Sequence, residues 1–188
     1  MIRPRESITQ LGFLVRPGGF EEAVTHWLEV VGAGPFFTGS FRLENQRFRG
    51  RPSDISCTVA LGYHGDMQVE LIHADRDGPG PYQEWHKLHP NIPRAGIYHH
   101  MMFAHDDYDA TKARYLAGGC REGFEAKASG GKRMAYLEAF DTIGGYVELV
   151  ERNPAWDAMC VEMRAISKDW DGRDPVRGLG SLSVKLGP

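Results

Sequence analysis

Four positions in this sequence carry side chains able to bind a cation or move a proton: Gln10 in ITQLGFLV, Glu70 in MQVELI, His100 in YHHMMFAH and Glu148 in GYVELV. Each run reads as a β-strand, where successive side chains point to opposite faces. Glu148 therefore shares a face with Tyr146 and Val150, while Val147 and Leu149 point the other way. A carboxylate in an otherwise apolar strand needs an explanation, because burying a charge without a partner costs several kcal/mol. Glu70 and Glu148 must meet a cation, a partner side chain or water. Taken singly, each Glu reads as a surface residue and His100 as a satisfied interior histidine. Their matched register sets them apart.

Other suggestive residues fit plainer roles. His86 and His89 form HxxH without the intervening Glu of a helical zinc motif, and read as a solvent-exposed loop. Ser129 to Lys132 (SGGK) fails the phosphate-loop pattern, since Ala126 precedes Gly131 by five and Arg133 follows Lys132. It reads as a turn whose Lys132 and Arg133 lie where a rim could meet an anionic group. His99 alternates to the face opposite His100, a packing or surface position. Cys57, Cys120 and Cys160 fit neither a CxxC site nor a disulfide framework and read as reduced, mostly buried thiols. Trp27 and Trp156 read as core.

The elements that must position the four donors repeat. Ile8 to Val15 is a strand leading through Pro17, Gly18 and Gly19 into a helix with Phe20, Val24, Trp27, Leu28 and Val31 on one stripe, stopped at Gly32. Phe36 to Phe48 has no clear pattern, and Ser53 to Leu61 and Asp66 to His73 are two further strands. The second half repeats this order. It has a strand at Ile97 to His105, a helix capped by Asp106 or Asp107 and ended by Gly118 and Gly119, a loosely patterned stretch from Phe124, and strands at Met134 to Phe140 and Tyr146 to Glu151. Between the halves, Asp75 to Gly96 holds four prolines and reads as irregular covering loop. Asn153 and Pro154 open an amphipathic helix carrying Trp156, Met159, Cys160, Met163, Ile166 and Trp170, which reads as packed on the core. Arg173 to Pro188 reads as poorly ordered.

A length of 188 residues fits one domain or a pair of small modules, and 41% hydrophobic with 25% charged residues is a globular composition. Lys and Arg number 22 against 25 Asp and Glu, so the net charge of -3 offers no footprint for nucleic acid. No apolar run approaches the roughly 18 to 20 residues of a membrane helix. MIRPRESITQ lacks a secretory signal's apolar stretch, so no membrane partner and a cytoplasmic location are expected.

The paired βαβββ pattern, with these donors in first and last strands, resembles the vicinal oxygen chelate superfamily. That superfamily includes glyoxalase I, methylmalonyl-CoA epimerase, extradiol dioxygenases and the fosfomycin and bleomycin resistance proteins. The likeness covers Ile8 to Arg152. It implies an α+β fold in which two paired βαβββ modules (8–75 and 97–152) form a cup-shaped mixed sheet within a domain over 1–152, followed by a C-terminal amphipathic helix and tail at 153–188. Each module of the family contributes one ligand from its first strand and one from its last, which implies Gln10, Glu70, His100 and Glu148 as ligands of one divalent ion per chain: Zn, Ni, Co or Mn. The set matches glyoxalase I of the human type residue for residue. HHxxF (His99 to Phe103) and GxVEL (Gly145 to Leu149) resemble methylmalonyl-CoA epimerase, whose first-strand ligand is usually His where this chain has Gln10, a weaker donor.

Ligand chemistry narrows what the resemblance implies. Iron-dependent ring cleavage uses two His and one carboxylate, whereas this set has one His and two carboxylates, so dioxygenase chemistry is disfavoured. Two Glu charges neutralise a divalent ion and leave a hard site suited to polarising a substrate oxygen. The implied activity is a metal-dependent isomerase or epimerase that abstracts a proton beside the metal-bound carbonyl of an acyl thioester or ketone, with Glu148 the first candidate base and Glu70 the second. The alternatives are a glyoxalase I-like lyase acting on a thiol adduct of an oxoaldehyde, and a non-catalytic, resistance-type binding protein. The expected partners are a small-molecule carbonyl compound and a second copy in a homodimer. The sequence leaves open whether the modules pair within a chain or across a dimer.

Overall fold

The computed structural model of the protein describes residues 7–76, 78–105 and 107–185, leaving aside the side chains of Arg42, Ala104 and Ser129. β1 (Gln10–Leu14) leads into α1 (Phe20–His26), whose wider continuation over Trp27–Val31 stops at Gly32, at φ +77°, a left-handed conformation that favours glycine. Next come β2 (Phe36–Arg42), β3 (Glu44–Phe48), the two-residue β4 (Arg51–Pro52), β5 (Ser56–His64) and β6 (Met67–Ala74). α2 (Pro81–Leu88) precedes the second module of β7 (Ile97–His105), α3 (Tyr108–Ala117), β8 (Arg121–Lys127), β9 (Arg133–Ala139) and β10 (Gly145–Glu151). Asp107 caps α3 by accepting from the Ala110 N–H at 3.0 Å, while Asp106 lies outside the described residues. α4 (Pro154–Lys168) and β11 (Val176–Gly178) follow.

Among the described residues, the eleven strands form one sheet in the order β11-β2-β5-β6-β1-β7-β10-β9-β8-β3-β4. β2-β5-β6-β1 mirrors β8-β9-β10-β7, and the halves join where β1 runs antiparallel to β7. The modules thus pair within one chain. Eight strand spacings separate β2 from β3, about 38 Å in a flat sheet. Only Leu43 lies between them in the chain, which spans no more than about 7 Å from Arg42 to Glu44. The sheet must therefore curl until its ends meet.

Each face has its own cover. Outside the curl, α1 packs on Phe36, Ala60, Val69 and Leu71, while Tyr108 of α3 joins Ala135, Leu137, Val147 and Leu149. Inside, Tyr82 and Trp85 of α2 and Met159 and Met163 of α4 close over Leu61, Tyr63, Ile72, Phe124, Tyr136 and Tyr146.

Several sequence expectations change here. The unpatterned Phe36 to Phe48 is two strands crossing from one end of the sheet to the other. The proline-rich link contains α2, with Tyr82 and Trp85 buried. The tail expected to lack order adds β11 alongside β2, buries Leu182, and has Glu162 accept from the Ser183 and Val184 N–H groups. Of the free cysteines only Cys57 is buried, and burial pushes its thiol up to about 12. Among the described residues, no helix is long and apolar enough to cross a membrane.

Because Met163 has no exposed surface, Met163→Ala is expected to cost about 2–5 kcal/mol by chemical denaturation. A cost below about 1 kcal/mol would show that α4 does not belong to the core.

Candidate functional site

The seam between the modules carries the site. Gln10 pairs with Gln68 across β1 and β6, with Glu70 two residues on; His100 pairs with Tyr146 across β7 and β10, with Glu148 two residues on. Across the seam, Gln10 faces Met102 and Gly12 faces His100, so a rotation that exchanges the modules exchanges these pairs. Side-chain alternation does the rest. Val69, Leu71, Val147 and Leu149 turn to the outer helices, and Glu70 and Glu148 turn into the curl.

All four sequence-predicted donors meet there. His100 Nε2 lies 3.0 Å from Glu148 Oε2, 3.2 Å from Gln10 Oε1 and 3.3 Å from Glu70 Oε2. The ligand atoms of Glu70, His100 and Glu148 all lie within 4.8 Å of one another. One ring N–H cannot serve three oxygens well, and one imidazolium cannot balance two carboxylates. A divalent cation fits both the charge and the donor set. Burial, opposed by His100 and reinforced by Glu148, raises Glu70 to about 7. At His100 burial disfavours the charged ring, but the Glu148 and Glu70 carboxylates outweigh it and hold the group above the ordinary histidine range.

A cavity of about 110 Å³ opens onto Gln10, Glu70 and Glu148. Its walls are mainly apolar: Phe41 and Leu43 from the crossing segment, Met102, Met134, and Trp156 from α4. Trp156, read as core, thus also faces the cavity. Tyr82 and Tyr136 line it with their hydroxyls 3.2 Å apart, whereas Phe36, Phe37 and Trp85 are packed in the core. Burial first, then the Glu148 charge, keeps the Tyr136 phenol well above its usual value, so it stays protonated. Lys132 lines the cavity, but Arg133 is held by Asp109 at 2.8 Å and Glu151 at 3.1 Å.

Three residues of the site escaped the sequence reading. His99, expected on the opposite face, is the extra residue of a β-bulge, since Gly12 pairs with His100 but Phe13 with Tyr98. Its Nδ1 lies 3.0 Å from that of His100, inside a ring of Tyr82, Trp85, Tyr136 and Tyr146, where burial holds it well below the ordinary histidine value. Gln68 accepts from Gln10 Nε2 at 2.7 Å. Gly12 leaves room for the His100 ring: a Cβ there would sit 2.0 Å from Cε1. A glycine inside an apolar strand was the available signal. His86, expected in solvent, is half-buried on α2 with Nε2 2.9 Å from the Val15 carbonyl, and His89 lies against Trp85.

The profile described as the Glyoxalase/Bleomycin resistance protein/Dioxygenase superfamily matches residues 9–136. No curated protein matches the sequence. Among solved structures, a hypothetical protein of Bacillus halodurans is 12% identical with a TM-score of 0.52, covering 80% of this chain and 96% of its own. A methylmalonyl-CoA epimerase of Mycobacterium tuberculosis is 17% identical at 0.48, covering 80% and 91%. A Streptomyces coelicolor methylmalonyl-CoA epimerase variant, in complex with 2-nitronate-propionyl-CoA, is 18% identical at 0.49, covering 78% and 94%. The likeness to the Bacillus halodurans protein is one of fold alone.

Gly12→Ala is expected to push the His100 ring out of its place and to destabilise the protein by about 1–3 kcal/mol, the usual cost of overpacking. Thermal denaturation and a crystal structure of the variant check this. A variant of unchanged stability with His100 in place would contradict the packing described.

Proposed function

The chain belongs to the glyoxalase/bleomycin resistance protein/dioxygenase superfamily, and from that premise we propose that it is a metal-dependent isomerase or epimerase that moves a proton on the carbon beside a carbonyl group. The observation that carries this reading is the buried Glu70, His100 and Glu148 cluster, with Gln10 beside it, at the base of a largely apolar cavity. These four residues would hold one divalent ion. When bound, the ion supplies Lewis-acid polarisation of the substrate's carbonyl oxygen.

The chain's own groups do the remaining work. Glu148 directs Oε2 toward His100 Nε2 and has Oε1 for the proton of the adjacent carbon. Glu70, whose Oε2 lies 3.3 Å from His100 Nε2, is the second candidate base. Phe41, Leu43, Met102 and Trp156 hold water back from the carbanion-like carbon. Tyr136, opposite Glu148 in the β9–β10 pairing and with its hydroxyl bonded to that of Tyr82, forms the wall beside that carboxylate. Acyl thioesters and ketones of modest size have the acidic C–H that this arrangement would address.

The test is carbon-bound hydrogen exchange. A panel of acyl thioesters and oxoaldehyde–thiol adducts is incubated with protein and divalent ion in deuterium oxide and followed by proton NMR. At least one compound is expected to take up deuterium beside its carbonyl, and Glu148→Gln is expected to slow that uptake by roughly a hundredfold or more, the contribution of a general base. Tight binding without exchange by the wild type would make the protein a binding module instead.

A further inference from the structure

The two ends of a glutamine amide have nearly the same shape, so the network around them decides which atom Gln10 shows to the site. That network has a fixed direction. The backbone carbonyl of Cys160, in α4, can only accept, and the Tyr63 hydroxyl donates to it at 3.2 Å. The Tyr63 oxygen in turn accepts from Gln68 Nε2 at 3.2 Å. This leaves Gln68 Oε1 to accept from Gln10 Nε2 at 2.7 Å. Gln10 Oε1 is then the atom turned inward, 3.2 Å from His100 Nε2. Gln10, Gln68 and Tyr63 are all buried, so water does not compete for these bonds. Reversing any link would set two donors or two acceptors face to face.

We propose that Gln68 is a positioning residue which, held by Tyr63 and the Cys160 carbonyl of α4, fixes Gln10 with its amide oxygen toward Glu70, His100 and Glu148. A cation needs that oxygen, because the amide nitrogen has no lone pair to offer. The inference rests on the reading of these four residues as ligands. It also gives the C-terminal helix a part in the site.

Zinc affinity of the full chain, measured by calorimetry, tests it. Gln68→Leu is expected to weaken zinc about 10–100-fold, the usual cost of losing a group that orients a ligand. Gln10→Ala is expected to lose as much, and the double variant no more than either single one, as two residues acting through one contact require. Gln68→Glu, kept neutral by burial, has a carbonyl oxygen to accept from Gln10 Nε2 and a hydroxyl to donate to Tyr63, and is expected to retain most of the affinity. Wild-type affinity in Gln68→Leu, or additive losses in the double variant, would overturn the proposal. A second readout needs no metal: the side-chain amide hydrogens of Gln10, followed by NMR, are expected to be protected from solvent exchange in the wild type and in Gln68→Glu and exposed to it in Gln68→Leu. Equal exchange in all three would overturn the proposal by itself. If the wild type binds no divalent ion, the functional reading fails, and Gln10 protection still decides the orientation.

Discussion

Two carboxylates and one imidazole, with ligand atoms within 4.8 Å of one another and almost out of reach of water, set the terms for the rest of the structure. At that separation two full negative charges repel by about 3 kcal/mol even at an effective dielectric constant near 20. His100 compensates one of them. The other must share a proton or a cation, which is why burial and Glu148 drive Glu70 up to about 7. A fold that keeps such a cluster needs rigid strands around it and a charge to put between them.

The strand pairing supplies the rigidity. Because β1 and β7 meet antiparallel with Gly12 opposite His100 and Gln10 opposite Met102, the same two-residue offset in β6 and β10 brings both glutamates to the seam. The two modules differ in what backs each first-strand residue. Behind Gln10 lies the polar Gln68, and in the equivalent place beside His100 lies Tyr146, with His99 bulged in next to it. The curl closes when β2 runs through Leu43 into β3, so Phe41 and Leu43 become a wall of the cavity.

Much of this could be read from the sequence because strand alternation is strict. Val69, Leu71, Val147 and Leu149 mark one face, so Glu70 and Glu148 had to share the other. What could not be read depends on contacts distant in the chain. β3, with the sequence ENQRF, looks polar, yet Gln46 is buried by bonds to the Leu43 and Ile55 backbones that no local pattern announces. α2 has eight residues in a proline-rich link, with too few turns to display a period. β11 forms only because β2 presents a free edge. His99 packs in the core as expected but on the same face as His100, because a bulge breaks alternation without leaving a signature in HHMMF.

Anomalous diffraction reads directly whether a cation sits among Glu70, His100 and Glu148. Crystals grown with cobalt or zinc should give one anomalous peak per chain, bonded to Glu70, His100 and Glu148 with Gln10 Oε1 as the remaining protein ligand, at about 2.0–2.2 Å for nitrogen and oxygen donors. A map with no peak among these residues at saturating metal, and His100 Nε2 still bonded to the Glu148 carboxylate, would contradict the reading of this cluster as a cation site.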